Sequence, residues 1–65
     1  MAKLTFTVPD MMCAACAETI TQAIQVLDAT ATVDADPNQK VVTVTTTAAA
    51  EQVSTAINQA GYTIQ

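Results

Sequence analysis

The sequence predicts a small α+β sandwich in which two helices cover one face of a four-stranded antiparallel sheet. Stretches with alternating apolar side chains and stretches of helical period follow one another in the order β-α-β-β-α-β. A chain of 65 residues is long enough for one small domain. Its hydrophobic content of 51% supports a core, although Phe6 and Tyr62 are the only aromatic residues. Residues 1–65 are therefore predicted to form a single domain.

The first half of the chain is predicted to hold a strand, a helix and a second strand. Residues 3–8 alternate between apolar and polar side chains, which indicates a half-buried strand that Pro9 ends. A helix follows around Cys16, because apolar residues then recur at helical spacing. This stripe consists of Ala17, Ile20, Ile24 and Leu27. Residues 29–35 contain three β-branched residues, two of them threonine, which favours a second strand that the alanines of this stretch weaken.

The second half repeats this plan without repeating the sequence. Residues 36–39, Asp-Pro-Asn-Gln, have the composition of a turn. Residues 40–46 are predicted to form the third strand, and Thr47 to cap the second helix. The apolar stripe of that helix consists of Ala49, Val53, Ala56, Ile57 and Ala60. Gly61 is the expected residue for a left-handed stop, and residues 62–64 are predicted to form the last strand.

Two right-handed crossovers around a central hairpin give this order of elements a ferredoxin-like topology. The first strand then ends at the same end of the sheet as the turn at residues 36–39. The second helix returns to that end and brings Gly61 and Tyr62 with it. Three loops are therefore predicted to meet around the stretch between the first strand and the first helix.

The formal charge of −4 excludes several classes of function. Two lysines stand against six acidic residues, and a nucleic-acid-binding protein needs a basic surface. The same balance argues against binding to anionic membranes. The chain has no run of about 18 apolar residues and no apolar signal segment at its start. Two cysteines are too few for a disulfide scaffold. The sequence therefore predicts a soluble cytoplasmic protein.

The two cysteines, Cys13 and Cys16, are the chemically informative residues, and the chain contains no histidine. A helix that begins beside them places both sulfurs near its unpaired N–H groups and the positive end of its dipole. Such an environment lowers a cysteine pKa below its usual value of about 8.5. Zinc sites and iron–sulfur clusters ask for about four ligands, whereas two thiolates suffice for Cu(I). The residues alone favour a Cu(I) site.

The sequence around the cysteines also breaks the usual rules for starting a helix. No Ser, Thr, Asp or Asn occupies the expected N-cap position, and Asp10 comes too early to serve. Local rules are most often broken where function resides. On the residues alone, Met11 is either a third, thioether ligand or an apolar plug beneath the loop.

The pattern Met11-x-Cys13-x-x-Cys16, together with Ala60-Gly61-Tyr62, resembles the heavy-metal-associated domain of copper chaperones and copper-transporting P-type ATPases. The resemblance covers the whole chain and is strongest to small bacterial, especially cyanobacterial, copper metallochaperones. Two departures lie outside the ligands. Asp10 stands where the family often has glycine, and Leu27-Asp28-Ala29 stands where a glycine often follows the first helix.

This resemblance implies a carrier that binds Cu(I) through Cys13 and Cys16 and is not an enzyme. It gives Met11 a structural role and places Tyr62 beside the ligands, where it covers the sulfurs. With no lysine or histidine in that loop, backbone N–H groups are expected to supply most of the charge compensation for the thiolates. The implied partner is the metal-binding domain of a copper-transporting P-type ATPase, and a copper-bridged homodimer is a further expectation.

Other functions remain open from the sequence. A CxxC motif beside a βαβ pattern also occurs in thiol–disulfide oxidoreductases. Against that alternative, Ala14-Ala15 separates the cysteines where Gly-Pro is expected, and the chain has no tryptophan. A metal-binding domain excised from a copper ATPase is another alternative, which an initial Met and an end close after the last strand disfavour. Carriage of zinc, cadmium or silver is also open, and zinc would recruit an outside oxygen ligand, with Asp10 the nearest carboxylate.

Overall fold

The computed structural model describes residues 2–65. Its elements are β1 (Ala2–Thr7), α1 (Ala14–Leu27), β2 (Thr32–Asp36), β3 (Val41–Thr46) and α2 (Ala50–Gln59). The strands form a sheet in the order β1-β3-β2, and both neighbouring pairs are antiparallel. β1 and β2 therefore run in the same direction on either side of β3. Neither helix within residues 2–65 is long and apolar enough to cross a membrane.

The predicted fourth strand is absent from the described residues, so the prediction of four strands is wrong there. Residues 62–65 lie beside β1 without forming a ladder. The backbone N–H of Gln65 donates to the carbonyl of Thr7 at 2.8 Å, but the N–H of Thr63 donates to the Asp10 carboxylate. Because a side chain takes this backbone donor, the segment keeps only part of the hydrogen bonding of a strand.

The core lies between the sheet and the two helices and follows the predicted patterns closely. The fully buried hydrophobic residues are Val8, Met11, Ile20, Ile24, Val42, Val44, Val53 and Ile57. Leu4 and Phe6 of β1 pack against this cluster from the same face of the sheet. Leu27 departs from the predicted stripe and is 39% exposed, because it is the last residue of α1 and borders an open groove between the helices.

Several element boundaries differ from prediction by one to three residues, and three of these differences have a clear local reason. β2 begins at Thr32 because the Asp28 carboxylate holds the backbone N–H of Thr30 in a turn. β3 begins after Lys40, whose φ of 62° is incompatible with a strand. The N-cap of α2 is Ala49, with its N–H bound by the Gln52 side chain at 3.2 Å, so the prediction of Thr47 is wrong.

Candidate metal site

The first helix begins directly at the cysteine pair. Cys13 has an extended backbone (φ −150°, ψ 170°) and is the N-cap residue of α1, which starts at Ala14. No side chain caps this helix, as the sequence predicts. Cys16 therefore lies in the first turn and Cys13 in the entering loop. The uncapped N–H groups at this helix start leave positive partial charge beside the two sulfurs.

The two thiols lie close enough to act together. The sulfur atoms are 3.2 Å apart, and both cysteines are free. Cys13 is exposed and Cys16 is half-buried, while Met12 between the strand and the helix is 74% exposed. A pair of sulfurs that converge at an exposed loop can chelate one soft metal ion and leave one side open to an incoming ligand.

The pKa of Cys16 is lowered to about 7, and the largest cause is the Tyr62 hydroxyl beside the Cys16 sulfur. The Cys13 thiol and the backbone N–H groups of Met12 and Cys13 stabilise the thiolate further. The Tyr62 hydroxyl is therefore the largest single contribution, and the backbone N–H groups that were expected to compensate the thiolate charge also contribute.

Tyr62 reaches this position through the end of α2. Gly61 has a φ of 98°, its N–H donates to the carbonyl of Asn58 at 3.0 Å, and the N–H of Tyr62 donates to Ile57 at 3.3 Å. This is the Schellman arrangement predicted from Gly61, and it turns the chain back towards the cysteines. The hydrogen bond to Cys16, burial and the negative charges of the Cys16 and Cys13 thiolates raise the pKa of Tyr62, and the Thr19 hydroxyl lowers it. The phenol therefore stays protonated and able to donate.

Lys40 connects the β2–β3 turn with the cysteine loop, and sequence reasoning did not find this contact. Its ammonium group donates to the carbonyl of Met11 at 3.2 Å and to that of Pro37 at 3.1 Å. These bonds bring the turn beside the cysteine loop, at the end of the sheet where the topology predicted it. A lysine directly after turn residues does not by itself indicate such a contact. The left-handed backbone of Lys40 becomes evident only in the structure.

Thr19 is another residue that lies beside the cysteine pair, and it was not predicted from the sequence. Its hydroxyl donates to the carbonyl of Ala15 at 2.9 Å and lies near the Tyr62 hydroxyl. Its spacing could have indicated this position, because Thr19 follows Cys16 by three residues and so lies on the same side of the helix.

Met11 and Asp10 are held away from the metal-binding position by other contacts. The Met11 side chain is fully buried in the core cluster. Both carboxylate oxygens of Asp10 lie 3.1 Å from the backbone nitrogen of Thr63. Residues 2–65 contain no cluster of three His, Cys, Asp or Glu side chains that could hold a metal. The carboxylate that was expected to lie nearest to the cysteines is therefore already engaged by the backbone of Thr63.

A convergent, uncapped cysteine pair on this fold defines a small soft-metal-binding domain. The model of the heavy-metal-associated domain family matches residues 5–63, and the chain belongs to that family. The family consists of non-enzymatic metal-trafficking domains, so the prediction that this chain is not an enzyme is confirmed.

Solved structures give the same result in more detail. A trimeric copper form of a histidine-to-tyrosine variant of the copper chaperone Atx1 from Synechocystis PCC6803 is 47% identical, with a TM-score of 0.93 over 95% of this chain and 98% of that one. The solution structure of a cyanobacterial copper metallochaperone is 44% identical, with a TM-score of 0.82 over 98% of this chain and all of that one. A gold-binding protein is 41% identical, with a TM-score of 0.90 over 94% of each chain. The comparison with curated proteins gives no match.

Proposed function

We propose that this protein is a soluble Cu(I) metallochaperone that binds one copper ion between Cys13 and Cys16. The observation that carries the proposal is the 3.2 Å separation of two free sulfurs at an uncapped helix start. Copper is the cargo, and the two thiolates are its ligands. The copper chaperones among the similar structures support this choice of metal, and the gold-binding protein supports a preference for soft metal ions.

Met11 and Tyr62 support the site without binding the metal. Burial of Met11 favours the apolar plug over the thioether ligand, because a ligand must share the exposed position of Cys13. The Tyr62 hydroxyl lies beside Cys16, where it would cover one side of the pair and limit access by water and competing thiols. The free thiols also require a reducing compartment, which the cytoplasm provides.

Anaerobic purification followed by metal analysis and titration tests the proposal. We expect one Cu(I) per chain and displacement of Zn(II) by Cu(I), because two thiolates cannot complete a tetrahedral zinc site. Competition with a Cu(I) chelator of known affinity gives the binding constant. Stronger binding of Zn(II) than of Cu(I) by the monomer would contradict the proposal.

The proposed acceptor is the metal-binding domain of a copper-transporting P-type ATPase, reached by ligand exchange with its own cysteine pair. The docking face consists of Met12, Ala14, Ala15, Tyr62 and the turn at residues 36–39. Its exposed centre is small and apolar, so the complex should bury less than the ~1,200 Å² typical of stable interfaces. The charge of −4 favours an acceptor with complementary positive charge.

Titration of the copper-loaded protein with such a domain, followed by NMR, tests the docking face. We expect shifts at the cysteine loop and an association rate that falls as salt rises. Shifts confined to Lys3, Asp28 and Glu51 would contradict it. A copper-bridged homodimer is a further expectation, and the trimeric copper form of the Synechocystis variant shows that a similar chaperone can form an oligomer. Size-exclusion chromatography with and without Cu(I) tests it.

A further inference from the structure

We propose that Asp10 is a positioning residue for copper retention, because its carboxylate holds the backbone of Thr63 and thereby keeps the Tyr62 hydroxyl against Cys16. We name the hydrogen bonding between Asp10 and Thr63 the Asp10 clasp. This inference rests on the proposed copper-carrying function. It adds a residue that binds no metal but controls the side chain that covers the metal ligand.

The clasp joins two segments that are distant in sequence. One backbone N–H, that of Thr63, is shared between both carboxylate oxygens of Asp10 at 3.1 Å each. Asp10 belongs to the loop that carries Cys13, and Thr63 directly follows Tyr62. A hydrogen bond to an ionised acceptor is stronger than one between neutral groups. The clasp therefore fixes the C-terminal segment directly to the metal-binding loop.

The loop side of the clasp is firmly anchored. The next residue, Met11, is fully buried, and its N–H donates to Val8 at 3.1 Å. The Lys40 ammonium group donates to the carbonyl of Met11 at 3.2 Å. Asp10 therefore extends from a loop that is held on both sides, and it can hold a less constrained segment in place.

The C-terminal side depends more heavily on the clasp. Residues 62–65 have no strand ladder, and the bond from Tyr62 to Ile57 is long at 3.3 Å. The bond from Gln65 to Thr7 lies three residues beyond the tyrosine. The clasp is the bond immediately adjacent to Tyr62 on its C-terminal side. Without it, the phenol is positioned by the end of α2 and by the packing of its ring against the core, and its contact with Cys16 should loosen.

Copper retention should follow this contact. A carrier must hold its ion against small thiols and still release it to an acceptor, and the group that covers the ligand governs the exchange. Asp10→Ala should therefore speed the loss of copper to a chelator by about two- to tenfold, the equivalent of one hydrogen bond. The stoichiometry should remain one copper per chain. Asp10→Asn, whose amide oxygen still accepts a bond, should restore most of the retention.

The matched control is Asp34→Ala. Asp34 is also an exposed aspartate, so its removal changes the net charge equally, but it lies in β2 and forms no side-chain hydrogen bond within residues 2–65. We expect the wild-type rate of copper loss in this variant. A rate equal to that of Asp10→Ala would assign the effect to charge and would overturn the proposal.

A double-mutant cycle with Tyr62→Phe shows whether Asp10 acts through the tyrosine. If it does, Asp10→Ala should accelerate copper loss in the wild-type background and have little further effect once the hydroxyl is absent. Equal acceleration in both backgrounds would overturn the proposal. A variant that merely destabilises the fold would show such additivity, so this readout separates positioning from general stability.

Tyr62 also provides a readout that needs no copper. It is the only tyrosine, and the chain has no tryptophan, so the intrinsic fluorescence of the protein reports on this one ring. In the apo protein, Asp10→Ala should increase collisional quenching by acrylamide, and Asp34→Ala should not. If Asp10→Ala fails to fold, Asp10→Asn serves in the same assays, with a smaller shift expected. Unchanged quenching in a folded Asp10→Ala protein overturns the clasp, whereas absence of copper binding by the wild type overturns the proposed function.

Discussion

At the end of the molecule away from the cysteines, Asp28 accepts hydrogen bonds from the Thr30 hydroxyl and the buried Thr46 hydroxyl, both at 2.7 Å. At the cysteine end, the corresponding polar contacts surround two free thiols that stay accessible. Helix α1 separates the two ends by 14 residues, or about 21 Å. The first network satisfies its polar groups within the protein, and the second leaves its sulfurs available for a ligand. Stability and metal binding should therefore respond to different substitutions.

The largest effect is expected at the cysteine end. Cys13→Ser or Cys16→Ser should weaken Cu(I) binding by orders of magnitude, because a hydroxyl is a poor ligand for a soft ion. The free energy of unfolding of the apo protein should change little, since Cys13 is exposed and Cys16 is only half-buried. Chelator competition and urea denaturation measure the two quantities. Near-wild-type copper affinity in Cys16→Ser would contradict the assignment of the site.

The reverse pattern is expected at the opposite end. The Thr46 hydroxyl donates to Asp28 and accepts the backbone N–H of Ala48 at 3.0 Å. Thr46→Val removes both bonds at a fully buried position, which should cost about 1–3 kcal/mol of stability. Copper affinity should stay at the wild-type level. A loss of affinity comparable with that of the cysteine variants would show that the two ends are coupled.

A smaller effect concerns the thiolate of Cys16. Because the pKa of this thiol is about 7, the rate at which it is alkylated in the apo protein should increase as the pH rises through neutrality. Tyr62→Phe removes the hydroxyl that contributes most to the lowered pKa, so the rise should move to higher pH. Mass spectrometry after timed exposure to iodoacetamide resolves the two cysteines. An unchanged pH profile in Tyr62→Phe would assign the low pKa to the Cys13 thiol and the backbone.

The smallest effect is expected on the free energy of unfolding when Asp28, at the end away from the cysteines, is protonated by acid. Hydrogen bonds from Thr46 and Thr30 lower the pKa of Asp28 to about 2, so this carboxylate favours the folded state. Its contribution is fully present above the unfolded pKa of about 4 and is lost as the pH falls towards 2. Urea denaturation between pH 5 and pH 2 should show this decline, and Asp28→Asn should flatten it. If Asp28→Asn leaves the decline of unfolding free energy with falling pH unchanged, the acid sensitivity arises from other groups.

Prediction from sequence succeeds for features of the fold that depend on residues close together along the chain. The burial of Ile20, Ile24, Val42 and Val44 follows from periodicity, because side-chain direction is fixed by the local backbone. The stop at Gly61 and the start of α1 beside the cysteines follow equally from local chemistry. These features depend on neighbours within a few residues, which a sequence displays directly.

The sequence by itself determined the order of the first five elements, most of the core and the soft-ligand pair Cys13 and Cys16. Only the tertiary structure decided what surrounds that pair. Tyr62 is the largest single contributor to the lowered pKa of Cys16, and the bond between Asp10 and Thr63 spans 53 residues of sequence. The same bond leaves the C-terminal segment outside the sheet. The physical reason is that such contacts depend on distances between segments that folding brings together, and no local pattern encodes those distances.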